Sequence, residues 1–157
     1  MDTGRPLIAT YLDTSAVLRI LRRHGNLVPV VGALRDGAVS SLLLRIETWT
    51  AIWKLWHESA VNERERDRLL ESSGSEVLDA VELLVLDDAV VTEALAVAER
   101  YPVRTLDGLH LATARIAGRR MARRGGSLRF CTADLRQAEI ARSLLGPQNV
   151  DLLPPWR

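Results

Sequence analysis

The sequence contains few of the residues that form disulfide frameworks, aromatic cores and lysine-rich surfaces. Its 157 residues include one Cys, one Phe, two Tyr and a single lysine, Lys54. One Cys excludes a disulfide framework, and we expect Cys131, in a strand-like run, to be a buried and unreactive thiol. No apolar run approaches the roughly 18 residues of a transmembrane helix, and no signal peptide opens the chain. We therefore expect a soluble, cytoplasmic protein.

The chain does contain enough apolar residues for a core, and its charges are unevenly distributed. With 47% apolar residues, positions 1–157 are expected to form a single domain. The net charge is only +1, yet residues 63–99 hold eleven acids and three Arg, and residues 115–136 hold seven Arg and one acid. This asymmetry is typical of a nucleic-acid-binding surface, although two solvated helix faces would give the same pattern.

Apolar, β-prone segments alternate with segments of helical periodicity along the chain. The pattern predicts strands from Ile8 to Asp13 and at Ala38–Ser41, Leu83–Leu86, Leu128–Cys131 and Val150–Leu153. It predicts helices between them, among them Ser15–His24 ended by Gly25, Leu42–Ser59 and Leu106–Arg123, and one further helical turn at Glu76–Val81. Such alternation indicates an α/β fold, which we predict to be a three-layer α/β/α sandwich with a mainly parallel sheet of four to five strands.

Four acidic residues stand at positions that such a sheet would bring together. Asp13 and Asp134 each follow a predicted strand. Glu47 lies early in the helix after the second strand, and Asp107 lies in the first turn of its own helix. If the strands are parallel, their carboxyl ends and the following helix starts share one edge of the sheet, where ligands bind. Each Asp alone could simply favour a helix N-terminus, and Glu47 could be solvated, but the convergence of four acids is harder to explain in that way.

Four clustered carboxylates need a positive charge or protonation to offset their repulsion. At about 4 Å a like-charge pair costs about 1 kcal/mol in water and about 4 kcal/mol at an effective dielectric constant of 20. Oxygen ligands without paired His or Cys suit a hard cation, Mg²⁺ or Mn²⁺. Such a site activates water and stabilises displacement at phosphorus, so phosphodiester hydrolysis is the natural chemistry.

The segments that carry these acids resemble the four motifs of PIN-domain ribonucleases, specifically the VapC-type toxins. Tyr11-Leu12-Asp13-Thr14-Ser15-Ala16-Val17-Leu18 resembles the first motif, and Ser40-Ser41 followed by Arg45-Ile46-Glu47 resembles the second. The most specific match is Arg104-Thr105-Leu106-Asp107-Gly108-Leu109-His110-Leu111-Ala112-Thr113-Ala114, which is similar to the third motif. Phe130-Cys131-Thr132-Ala133-Asp134-Leu135-Arg136 resembles the fourth.

The resemblance implies a metal-dependent endoribonuclease of a type II toxin–antitoxin system. Such a protein is usually a homodimer and is neutralised by a cognate antitoxin protein. The implied cofactor is Mg²⁺, with Mn²⁺ as the alternative, and the implied substrate is RNA. The family's catalytic and metal-binding acids would be Asp13, Glu47, Asp107 and Asp134, and Ser15 and Thr132 would be supporting hydroxyls.

Three further features have more than one interpretation. His110, one turn after Asp107, is a structural residue, a substrate contact or a proton-transfer group. The apolar stripe from Leu42 through Trp49 to Trp56 is either core or a groove for an antitoxin helix. Five Arg residues could bind RNA phosphates, an acidic antitoxin tail or the acidic 63–99 region; they are Arg115, Arg119, Arg120, Arg123 and Arg124.

Other functions remain as alternatives. A phosphatase with an Asp nucleophile usually has a second Asp two residues later, where this chain has Ser15. A receiver domain would need an acidic pair beside the first strand, which is absent, and a late lysine, for which Lys54 is too early. A PIN-fold nuclease in RNA maturation shares the same site chemistry, and a non-catalytic nucleic-acid-binding module could share the fold.

Overall fold

The centre of the molecule is a five-stranded parallel sheet. The structure is a computed structural model that describes residues 7–23 and 28–154. Its strands are β1 (Ile8–Leu12), β2 (Ala38–Ser41), β3 (Val81–Leu84), β4 (Ser127–Thr132) and β5 (Val150–Leu152). The order across the sheet is β3-β2-β1-β4-β5, and every neighbouring pair is parallel. The predicted α/β class and parallel sheet are confirmed.

Helices cover both faces of the sheet, which gives the predicted three layers. One face carries α1 (Thr14–Leu21), α2 (Val28–Asp36), α3 (Leu43–His57) and α4 (Glu63–Ser72). The other carries α5 (Asp88–Arg100), α6 (Thr105–Ala122) and α7 (Leu135–Leu145). Alternate residues of a strand point to opposite faces, so Leu12 and Cys131 enter the core under the first group, while Tyr11 and Phe130 enter the core under the second.

Two predicted boundaries were wrong. The third strand is Val81–Leu84, because β2 ends at Ser41, opposite Leu84, and leaves Val85 and Leu86 without a strand partner. The helical turn predicted at Glu76–Val81 corresponds to the end of a π-helical turn at Ser73–Val77 and a 3₁₀ turn at Leu78–Ala80, and Val81 already belongs to β3. The predicted end of the first helix at His24 and Gly25 lies outside the described residues.

The interpretation of the apolar stripe on α3 as core is wrong for its first half. Leu42, Ile46 and Trp49 are exposed, whereas the buried side chains of α3 are Leu44, Thr48 and Ile52. Trp53 and Trp56 are half-buried, and the guanidinium of Arg66 lies over both rings at 5.2 and 5.0 Å. Apolar residues occur on nearly every side of this helix, so periodicity could not identify the side that packs on the sheet.

The topology creates a site at the carboxyl ends of β1 and β4. The chain passes from β1 to β2 on one side and returns to β4 on the other, so the strand order reverses between β1 and β4. Open α/β sheets bind ligands outside the strand ends at such a point. Asp13 directly follows β1, and Thr132 ends β4.

Among the helices of the described residues, none has the length and apolar character needed to cross a bilayer.

Candidate active site

Asp13 lies at the centre of the reversal point and is almost completely buried, with 3% of its surface exposed. It is the N-cap of α1 and accepts a hydrogen bond from the backbone N–H of Ala16 at 2.9 Å. The hydroxyl of Ser15 donates to its carboxylate at 2.8 Å, and the hydroxyl of Thr132 donates at 2.7 Å. Asp13 is therefore a helix cap whose carboxylate also lies where the strand order reverses, so a capping role does not exclude a role in the candidate site.

The two hydroxyls are oriented toward Asp13 by the backbone that follows β4. Ser15 Oγ accepts the N–H of Ala133 at 2.8 Å, and Thr132 Oγ1 accepts the N–H of Asp134 at 3.0 Å. For Thr132 the Asp13 carboxylate is the nearer of two acceptors, since Gln137 Oε1 lies 3.2 Å from its hydroxyl. Burial raises the pKa of Asp13, and the hydrogen bonds from Thr132, Ala16 and Ser15 oppose that rise.

Glu47 reaches the same edge of the sheet from α3. Its Oε2 accepts the hydroxyl of Thr14 at 2.8 Å and contacts Nε2 of His110 at 2.5 Å. Burial acts to raise the pKa of Glu47, but the interaction with His110 and the hydrogen bond from Thr14 outweigh it, so the pKa lies below its usual value. The carboxylate is thus held in its charged form by two neighbours from different helices.

His110 links Glu47 to the interior of the sheet. The N–H of Ser41 donates to the Tyr11 hydroxyl at 3.0 Å, and that hydroxyl lies 2.8 Å from Nδ1 of His110. Because the carboxylate of Glu47 can only accept, Nε2 of His110 carries a proton toward it, while Nδ1 faces the Tyr11 hydroxyl. Burial raises the pKa of Tyr11, so it remains a neutral donor. Of the three interpretations of His110, this geometry favours a structural residue that orients Glu47.

Asp107 and Asp134 form the more exposed part of the edge. Asp107 lies in the first turn of α6, and Asp134 caps α7 by accepting the N–H of Gln137 at 3.0 Å. The guanidinium of Arg104 contacts both carboxylates, with Nε 2.8 Å from Asp107 and a terminal nitrogen 3.8 Å from Asp134. A cavity of about 270 Å³ opens beside the two acids and is lined on its other side by Arg136.

Hydrogen bonds and ion pairs connect three of the four acids along this edge, Asp13, Asp134 and Asp107, whereas Glu47 is held separately by Thr14 and His110. Thr132 connects Asp13 to the backbone of Asp134, and Arg104 connects Asp134 to Asp107. Across residues 7–23 and 28–154, no three acidic, His or Cys side chains are close enough together to hold a metal ion.

The donor chemistry nevertheless fits a magnesium ion that is bound mostly through water. Mg²⁺ prefers oxygen ligands, usually keeps several waters and takes only one or two protein carboxylates. Asp107 and Asp134 meet that requirement, since a single guanidinium reaches both, and each is partly open to solvent, with side-chain exposures of 27% and 35%.

The arginine-rich end of α6 pairs with acids of the 63–99 region. Arg115 and Arg119 both contact Glu93, at 2.5 and 2.8 Å, and Arg120 lies 3.9 Å from Asp87. For Arg115, Arg119 and Arg120 the structure therefore favours pairing with the acidic region, and this accounts for part of the charge asymmetry.

The model of the PIN domain family matches residues 10–143. The chain belongs to the PIN domain family. PIN domains are generally nucleases, so the family places the chain among hydrolases of phosphodiester bonds. The matched range includes all four candidate acids and both supporting hydroxyls of this PIN domain.

A solved structure supports the assignment of the fold. It is described as a toxin–antitoxin complex from Klebsiella pneumoniae, and the likeness has a TM-score of 0.58 over 94% of this chain and 99% of that chain. The two sequences are 13% identical, so this likeness concerns the fold alone. Comparison with curated proteins gave no match.

Sequence reasoning missed two contributors to the site of this PIN domain. The strand pattern accounts for Tyr11 only as a strand residue, although its hydroxyl contacts both Ser41 and His110. The third motif contains Arg104 without indicating a role for it, yet Arg104 contacts two of the four acids. The spacing of Arg104 and Asp107 by three residues at a helix start was a signal for their ion pair.

Proposed function

We propose that this PIN domain is a Mg²⁺-dependent endoribonuclease that hydrolyses RNA phosphodiester bonds and acts as the toxin of a toxin–antitoxin pair. The observation that carries the proposal is the buried Asp13, held by Ser15 and Thr132 where the strand order reverses and connected through Thr132 and Arg104 to Asp134 and Asp107. Family membership supports nuclease chemistry, and the RNA substrate rests on the resemblance to VapC-type toxins.

In this proposal the acids Asp13, Glu47, Asp107 and Asp134 are the catalytic and metal-binding residues. The metal, Mg²⁺ or Mn²⁺, would polarise the phosphate and lower the pKa of a water molecule. Ser15 and Thr132 fix the orientation of Asp13, and His110 fixes that of Glu47. Partners of this kind orient ligands and commonly change metal affinity or activity about 10- to 100-fold.

The proposed partners are a cognate antitoxin protein and a second copy of the chain. The solved structure with the same fold comes from a toxin–antitoxin complex, which supports the antitoxin. Light scattering on the purified protein should give a mass of about twice 17.4 kDa if the chain is a homodimer.

The toxin role predicts that induced expression of the parent protein arrests growth of the host cells, and that expression of Asp13→Asn does not.

A non-catalytic nucleic-acid-binding module is the second candidate. It is favoured by the lack of a compact group of three ligands among the described residues. A PIN-fold nuclease in RNA maturation would share the site chemistry and differ in its target.

The deciding experiment is cleavage of total RNA by purified protein with Mg²⁺, with Mn²⁺ and with EDTA, beside the Asp107→Asn variant. Discrete fragments that require both the metal and Asp107 would support the nuclease. If RNA remains intact with either metal, and calorimetry detects no Mn²⁺ binding, the binding module replaces the nuclease as the better proposal.

A further inference from the structure

Arg104 occupies the position of a counter-ion between two of the proposed metal-binding acids. It precedes α6 directly, and its side chain folds back over the first turn to reach Asp107 at 2.8 Å. The same guanidinium extends to Asp134 at 3.8 Å, although Asp134 lies 30 positions further along the chain. A local helix-start ion pair would explain the first contact but not the second.

The contacts of Arg104 are of a kind that a divalent ion can replace. Its side chain is 76% exposed, so water screens both ion pairs, and exposed pairs contribute little to stability. A cation with two charges and a small radius interacts more strongly with the same two carboxylates. Arg104 also lines the cavity beside the acids, together with Arg136, so a displaced guanidinium remains next to the site.

We propose that Arg104 is the resident counter-ion of Asp107 and Asp134, that a divalent cation displaces it, and that the released guanidinium then binds a phosphate of the RNA. This inference rests on the proposed function, since it requires metal and RNA at the same edge. A planar guanidinium is suited to both tasks, because carboxylate and phosphate accept the same pair of parallel N–H donors. Arg104 thus exchanges one anionic partner for another.

The exchange predicts opposite effects on the two ligands when Arg104 is removed. The metal no longer has to displace a competing charge, so it binds more tightly. RNA loses a phosphate contact, so it binds more weakly. A purely structural role in starting α6 would not strengthen metal binding, and this difference makes the inference testable.

The first test is calorimetric titration with Mn²⁺ alone, on the parent protein and on Arg104→Gln, Arg104→Lys and Arg136→Gln. Arg104→Gln should bind Mn²⁺ about two- to five-fold more tightly, in the range that exposed ion pairs provide. Arg104→Lys keeps the charge without the double contact and should lie between the parent and Arg104→Gln. Arg136→Gln is the matched control, because it removes the same charge from the same cavity without touching either acid.

A second measurement follows the side chain directly. The Nε–H resonance of Arg104, assigned by its loss in Arg104→Lys, should move as Mg²⁺ is added and should saturate at the metal concentration found by calorimetry. The Nε–H resonance of Arg136 should move much less, because Arg136 contacts the carbonyl of Pro102 and neither carboxylate.

The kinetics of RNA cleavage then distinguish the effect of Arg104 on metal binding from its effect on RNA binding. Arg104→Gln should reach half of its maximal rate at lower Mn²⁺ and should show a higher KM for RNA. Equal Mn²⁺ affinity in the parent and Arg104→Gln, or the same tightening in Arg136→Gln, would overturn the inference while leaving the nuclease intact. Failure of the parent protein to bind Mn²⁺ would overturn the proposed metal function and this inference with it.

Discussion

The two halves of the acidic edge hold their carboxylates by different means. Asp13 and Glu47 are fixed by hydroxyl groups and an imidazole, with Asp13 only 3% exposed. Asp107 and Asp134 are partly open to solvent and share one exposed guanidinium, that of Arg104. The first half is therefore held by hydrogen bonds from several elements of the fold, and the second by exposed ion pairs.

This contrast shows how groups of the protein itself offset the repulsion between acids at one edge of the sheet. Burial raises the pKa of Asp13, and the hydroxyl donors offset part of that effect. At the exposed half, the guanidinium offsets the repulsion between the two acids. Preorganised groups of the first kind favour catalysis, because their orientation costs nothing at the moment of reaction.

Among the variants that test this difference between the two halves, Asp13→Asn should have the largest effect. Cleavage of RNA should fall at least about 100-fold, since the amide cannot accept all the hydrogen bonds that converge on the carboxylate, nor supply its charge. Asp134→Asn should retain more activity because its side chain is partly exposed and held by fewer hydrogen bonds. Rates are measured on one RNA at saturating Mg²⁺, with Asp151→Asn as the control because Asp151 pairs with Arg129, outside the site. A larger loss in Asp134→Asn than in Asp13→Asn would reverse the assignment of the two halves.

The next variant, His110→Ala, tests whether Glu47 depends on its orientation. Activity should fall about 10- to 100-fold, as for other residues that orient a ligand. His110→Gln can still present an N–H to Glu47, so it should recover part of the loss. The measurement is the rate at several Mg²⁺ concentrations together with Mn²⁺ affinity by calorimetry. If His110→Gln and His110→Ala lose equal amounts of activity and of Mn²⁺ affinity, then His110 supports packing rather than the orientation of Glu47.

Tyr11→Phe should act mainly on stability. It removes the hydroxyl that satisfies Ser41 N–H and Nδ1 of His110, and leaving buried groups unpaired costs about 1–3 kcal/mol. The free energy of unfolding is measured by urea denaturation at pH 7. Tyr101→Phe is the comparison, because Tyr101 is only half-buried. Unchanged stability in Tyr11→Phe would mean that the buried chain of hydrogen bonds does not stabilise the fold.

The smallest expected effect is on the pH dependence of stability. The pKa of Glu47 is lower in the folded protein than its usual value of 4.5. Its contribution to stability is therefore present above about pH 4.5 and is lost as the pH falls through the folded pKa. At neutral pH the free energy of unfolding of Glu47→Gln should be lower than that of the parent by about 1 kcal/mol. This difference should become smaller as the pH falls through the folded pKa of Glu47. A gap that widens toward acid pH would contradict the assigned pairing with His110.

Much of the fold was predictable because its signals are local. Alternating strands and helices indicated a parallel sheet, and residues close in sequence set the caps, such as Asp13 with Ala16 and Asp134 with Gln137. Wrong predictions occurred where the deciding partner was distant. The third strand ends at Leu84 because β2 ends opposite it, and the packing side of α3 depends on the core that it meets.

By itself, the sequence determined the α/β class and the candidate acids, because hydrophobic periodicity and residue type act over a few positions. Only the tertiary structure decided how those acids are held. Thr132 reaches Asp13 across 119 positions, His110 reaches Glu47 across 63, and Tyr11 reaches His110 across 99. Contacts of that range form when strands and helices pack, so no local pattern encodes them.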